Sequence, residues 1–111
     1  MKKDYKVLIG HILESITLIG VYIAGLSREE FFQNREVQDA VIRRLEIKGE
    51  AARHMPEDIK ERNNDIPWQR IAGMRNILIH EYFGVDLNLT WRTATEDLPA
   101  LKGKLQEILN A

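Results

Sequence analysis

Two long runs, from Asp4 to Gly25 and from Asn34 to about His54, carry apolar residues at the helical period. In the first, Val7, Leu8, Ile12, Ser15, Ile16, Ile19, Tyr22 and Ile23 recur on one face. His11 interrupts that face and reads as a buried, hydrogen-bonded core residue. In the second, Val37, Val41, Ile42, Leu45, Lys48 and Ala52 follow the same period. A chain of 111 residues that commits so much of its length to two amphipathic helices is predicted to bury them against further helices, in one domain spanning residues 1–111.

The punctuation between the runs fits that plan. Asp4 is a candidate N-cap, Gly25 a stop, and Ser27-Arg28-Glu29-Glu30 a capping box opening a short turn with Phe31 and Phe32. Asn34 is the next predicted N-cap. Pro56 opens one short turn through Arg62, and Pro67 restarts the chain as a helix expected to run to about Phe83 and to close at Gly84. Asn88 is the predicted cap of a further helix, and Pro99 either kinks that helix or starts a last one through Leu101, Leu105, Ile108 and Leu109. Nothing alternates as a strand would. The expected fold is all-α, an up-and-down bundle of four to five helices.

Composition narrows the chemistry. With no cysteine there is no disulfide, thiolate nucleophile or sulfur-ligated zinc, and a reducing cytoplasm is the expected compartment. The start, MKKDYKVLIGHILESITL, lacks a small-residue cleavage site and reads as no signal peptide. The longest uncharged run, Ser15 to Ser27, falls short of the roughly 18 apolar residues a spanning helix needs, so no membrane association is expected. A formal charge of −1 gives no general attraction to nucleic acid, and an RNA-binding role would need a local cluster of cations. Arg43, Arg44 and Lys48 are interleaved with Glu46 and Glu50, which reads as a solvated face without function. Trp68, Trp91, Phe31, Phe32 and Phe83 read as core or interface aromatics.

The polar cluster in RNILIHEYFGVD, residues 75–86, is the candidate site. Histidine titrates near neutrality, so His80 could take a proton from a ribose 2′-hydroxyl or give one to a leaving 5′-oxygen. Arg75 cannot be the base and would instead hold the scissile phosphate. Asn76 could orient the imidazole, and Tyr82 could bond to phosphate or stack on a base. On a continuous helix Arg75 and His80 diverge by about 140°. A two-fold dimer packed along this helix would bring both pairs to a shared cleft. The residues form no obvious metal-ligand set.

PWQRIAGMRNILIHEYFGVDLNLTW, residues 67–91, resembles the HepT family of the HEPN superfamily, whose signature Arg-Asn-x-x-x-His-x-Tyr is met in full at Arg75, Asn76, His80 and Tyr82. The resemblance extends over nearly the whole chain. It implies a homodimeric helical bundle acting as a metal-independent ribonuclease toxin, with Arg75 and His80 catalytic and Asn76 supporting them. It also implies a partner antitoxin, an MntA-type nucleotidyltransferase that uses ATP to adenylylate Tyr82, and no cofactor in the chain itself. Two alternatives remain: a non-catalytic nucleotide- or partner-binding subunit of such a nucleotidyltransferase, and a purely structural hydrogen-bond network at a dimer interface.

Overall fold

The computed structural model describes residues 4–80 and 84–110, and of residues 74–80 and 84–85 the backbone elements alone. Helix α1 spans Tyr5–Ile23, and the Asp4 carboxylate accepts from the backbone N–H of Lys6 at 2.9 Å to cap it. It ends where Gly25 takes a φ of 77°, a left-handed conformation that only glycine adopts without strain. The capping box forms as expected: the Ser27 hydroxyl accepts from Glu30 N–H at 3.1 Å, and the Glu30 carboxylate accepts from Ser27 N–H at 2.9 Å. That opens the one-turn helix α2, Arg28–Phe32.

Asn34 caps α3, Arg35–Arg53, by accepting from Val37 N–H at 3.1 Å. The buried Gln38 amide donates back to the carbonyls of Phe31 and Phe32 at the end of α2, the Phe31 oxygen also accepting from the Asn34 backbone N–H at 3.2 Å. Helix α3 packs on α1, and the ion pair between Arg44 and Glu14 at 3.7 Å marks one point of their contact. After the short α4, Glu57–Arg62, the Trp68 indole N–H donates to the Asn63 carbonyl at 3.1 Å and ties the connecting loop to the start of α5, Trp68–Leu78.

Helix α5 stops short of the expected Phe83. Ile79–His80 form β1, paired antiparallel with β2, Gly84–Val85, in the register Ile79 to Val85 and His80 to Gly84. The β-branched Ile79 and Val85 favour a pleated backbone, and Gly84 costs a helix interior about 1 kcal/mol, so local preference turns from helix to hairpin here. Phe83 lies outside the described residues.

The chain then runs helically from Leu87 to Asn110 in three joined pieces: α6, Leu87–Arg92, a π turn, Thr93–Asp97, and α7, Leu98–Asn110. The cap of α6 is Asp86, accepting from Leu89 N–H at 3.0 Å, where Asn88 was expected. Asp86 follows directly on β2 with extended dihedrals suited to a cap, whereas Asn88 sits inside α6 and its side-chain oxygen accepts from Arg28. Pro99 neither breaks the rod nor starts a separate helix. Its ring would crowd the Thr95 carbonyl four residues back, and the π turn that contains Thr95 widens the backbone there.

The core draws on all four long rods: Leu8, Ile9, Ile12, Ile16 and Ile19 of α1, Val41, Leu45 and Ala52 of α3, Trp68 and Ile71 of α5, and Leu98, Leu101, Leu105 and Ile108 of α7. By length and hydropathy α1 could cross a membrane, but its apolar stripe is spent on this core. His11 is exposed, not buried as expected, because the stripe centres on Ile12 and Ile19 and leaves position 11 at its edge. Phe31, Trp91 and Trp68 are core aromatics as expected, with the Phe31 and Trp91 rings 5.2 Å apart.

Helices α3 and α5 meet at a glycine. A Cβ on Gly49 would stand 3.1 Å from the Ile71 carbonyl oxygen, a backbone atom that would have to give by a few tenths of an ångström, and in ordinary contact, at 3.5 Å, with that of Ala72. Gly49→Leu is therefore expected to destabilise the fold by about 1–3 kcal/mol in urea unfolding. Gly103, on the exposed face of α7 with nothing within 4 Å of a Cβ, serves as the contrast: Gly103→Ala should stabilise by up to about 1 kcal/mol.

Candidate active site and a buried lysine

The segment that carries the polar cluster is positioned from its N-terminal side. Ile66, Trp68 and Ile71 are buried, the Trp68 indole is hydrogen-bonded, and α5 rests on α3 at Gly49. Arg75 and Asn76 therefore sit in the last turn of a helix whose first two turns are anchored. His80 lies beyond the helix end in β1, opposite Gly84. The divergence of about 140° expected of a continuous helix does not apply across this junction. Past Leu78 each residue advances about 3.3 Å along the chain instead of winding around an axis at 1.5 Å. Tyr82 lies outside the described residues.

Helix α6 packs against both α5 and α2, and the surface around it is polar. An open concavity of about 540 Å³ is lined by Arg28, Asn88, Trp91, Arg92, Thr95 and Glu96. Arg28 is held there by its hydrogen bond to Asn88 and by its guanidinium 4.4 Å over the Phe32 ring. Two arginines against one carboxylate make this a locally cationic surface in a chain of net charge −1.

A second hollow, of about 290 Å³ between α1 and α3, is lined in part by His11, Glu46, Glu50 and His54. His54 caps the C-terminal end of α3, as its position near the negative helix pole suggests, with its ring 3.0 Å from the Glu50 carboxylate. No group of three metal-capable side chains occurs among the described residues.

Lys48 departs furthest from expectation. It is not part of a solvated face: 2% of it is exposed. Its neighbours in the sequence, Ile47 and Gly49, are themselves partly or fully covered, and α5 closes over this side of α3 beside Gly49. The signal that could have found it was present, since Lys48 falls on the same helical period as Val41, Leu45 and Ala52. It lines a cavity of about 220 Å³ together with Arg70 of α5, Thr93, Glu96 and Asp97 of the π turn, and Lys104 of α7. Burial pushes the Lys48 ammonium down from its ordinary 10.5 to about 8, with the Asp97 carboxylate opposing that shift and the Arg70 cation adding to it.

Comparison with known proteins bears on both features. The family described as Ribonuclease HepT-like matches residues 12–108. This chain belongs to that family. The match takes in the α5 to β1 junction and the buried Lys48 alike. Among HepT-like relatives, "Probable ribonuclease HepT" of Thermococcus cleftensis is 44% identical over 97% of this chain and 98% of its own length. A Methanocaldococcus jannaschii protein named "Gamma-glutamylcyclotransferase and putative RNase" is 49% identical over 98% of this chain, which spans 49% of that longer protein. No solved structure matches.

The buried lysine gives the HepT-like chain a defined pH response. At pH 7 Lys48 is protonated both folded and unfolded, and the burial penalty, about 3 kcal/mol from the distance between 10.5 and about 8, is fully present. As pH rises from about 8 the folded chain releases this proton first, the unfolded chain holds more protons, and stability increases until the unfolded lysine also titrates near 10.5. Lys48→Met is expected to be more stable than the wild type by about 1–3 kcal/mol at pH 7, with the difference shrinking toward pH 10. Urea unfolding of the two proteins at pH 7, 8.5 and 10 measures both trends.

Proposed function

We propose that this chain is a ribonuclease that acts as the toxin of a toxin–antitoxin pair. What carries the reading is the Arg75-Asn76, His80 and Tyr82 pattern in a chain that belongs to the HepT-like family over residues 12–108. The anchored end of α5 and the locally cationic surface on α6 support it.

In the proposed reaction His80 removes the proton from a ribose 2′-hydroxyl, whose oxygen attacks the adjacent phosphorus. The bond to the 5′-oxygen breaks, and that oxygen takes up a proton from the imidazolium, leaving a 2′,3′-cyclic phosphate and a 5′-hydroxyl. Arg75 holds the non-bridging oxygens and stabilises the charge growing on them, and Asn76 orients the imidazole. Base and charge stabiliser are both side chains, so the scheme calls on no metal. Two copies of the chain, packed along α5, form a shared cleft in which one His80 serves as base and the other as acid.

The same pattern supports a switch. A partner nucleotidyltransferase of the MntA type transfers AMP from ATP to the Tyr82 oxygen and releases pyrophosphate. The added phosphodiester places negative charge and bulk two residues from His80, where it repels the RNA backbone.

Purified His80→Ala and Arg75→Ala proteins are expected to lose at least 10²-fold in RNA cleavage while keeping the wild-type unfolding midpoint. Full cleavage by His80→Ala would sink this mechanism. A wild-type protein that cuts no RNA and forms a tight stoichiometric complex with the nucleotidyltransferase would favour the binding-subunit reading, which the net charge of −1 keeps in view. After co-expression with the partner, intact mass should show added adenylate on the wild type and none on Tyr82→Phe, which stays toxic.

A further inference from the structure

Lys48 and Thr93, both of which line this cavity, have no hydrogen-bond partner among the described residues, and of the two polar groups the Thr93 hydroxyl is the one sealed from solvent. Lys48 is 2% exposed and makes no hydrogen bond, and no ion pair within 4.0 Å, with any described residue; Asp97 acts on it only at longer range. The Thr93 hydroxyl, fully buried in the facing π turn, has no hydrogen-bond partner either. A lysine covered to this extent, whose only accessible surface is the 2% that remains and which no group among the described residues answers, carries a desolvation cost that an acceptor in the cavity would offset.

The donors define what is missing. Lys48 has three N–H donors and no acceptor, and Arg70 and Lys104 add cations at the mouth. Asp97 is held by Arg70 at 3.7 Å, and Lys104 reaches outward to Asp65 at 3.5 Å. With Arg70 answered by Asp97 and Lys104 by Asp65, Lys48 is the cation of this cavity that has no carboxylate within 4.0 Å among the described residues. A ligand that answers this must be rich in acceptors and singly negative.

At about 220 Å³ the cavity lies below the roughly 300–1,000 Å³ usual for whole small-molecule ligands, so it suits a head group. A carboxylate offers two oxygens, whereas a phosphoryl group offers more around one centre and better serves donors arriving from α3, α5 and α7.

We propose that the cavity between α3, α5 and the Thr93–Asp97 turn binds a singly charged phosphoryl group, with Lys48 as its inner donor and Arg70 and Lys104 at its mouth. The group is either free dihydrogen phosphate or the backbone phosphodiester of a polynucleotide. The site does not rest on the nuclease reading. It lies where α5 begins, with Arg70 about 7.5 Å along the helix from Arg75.

The test is calorimetric titration of the full chain at pH 7 and constant ionic strength with sodium phosphate, and separately with a short oligodeoxynucleotide, which lacks the 2′-hydroxyl and is not cut. One saturable site per chain is expected for one of the two probes, and the probe that binds identifies the source. Lys48→Met should weaken that binding at least tenfold while its thermal midpoint stays level or rises, a combination that loss of fold does not produce. If neither probe binds, or if Lys48→Met binds as the wild type does, the proposal is overturned.

Discussion

Everything on the candidate-site side of this molecule hangs on the approach of α3 to α5 at Gly49. With no Cβ there, the carbonyl edge of α5 at Ile71 and Ala72 comes to the surface of α3, and the neighbouring Ile71 and Leu45 side chains enter the core on either side. The approach fixes α5 in its middle. The indole hydrogen bond of Trp68 ties down its start, so the last turn, with Arg75 and Asn76, continues from an anchored helix. The same closeness covers Lys48, one residue before the glycine. The close approach at Gly49 thus lies beside both the helix that carries the polar motif and the covered Lys48.

Much of this was legible in the sequence where a local rule acted alone. Ser27 with Glu30, Asn34, Gly25 and the apolar stripe of α1 behaved as their side chains dictate, because caps and turns are decided within four residues. Misreadings arose where two rules competed. At Lys48 the helical period pointed inward and the charge pointed outward, and period prevailed because α5 lies over that face whatever residue occupies it. Asp86 and Asn88 are both competent caps two residues apart. The choice between them was settled by where β2 ends and by an arginine on a distant helix that engages Asn88, neither of which local pattern reveals.

The Arg75 and His80 pair illustrates the same limit for function. Their five-residue spacing was recognisable, but its geometric meaning changes once a helix-to-strand junction falls between them. A junction of this kind separates two demands that a uniform helix sets against each other. The arginine keeps a helix's rigidity, while the histidine takes a backbone whose direction is set by pairing with Gly84.

The π turn at Thr93–Asp97 carries a consequence for how such a chain can change. A π turn houses more residues per revolution than an α turn, so it offsets the phase of everything that follows it. Because of that offset one uninterrupted rod serves two clients, its first part turned toward α2 and α5 and its last part toward α1. Loss of a single residue within the turn would rephase α7 by about 100° and swing Leu101 and Leu105 out of register with α1. The helical rod from Leu87 to Asn110 is therefore more sensitive to a change in length within the turn than to a substitution there, with the turn acting as its phase clock.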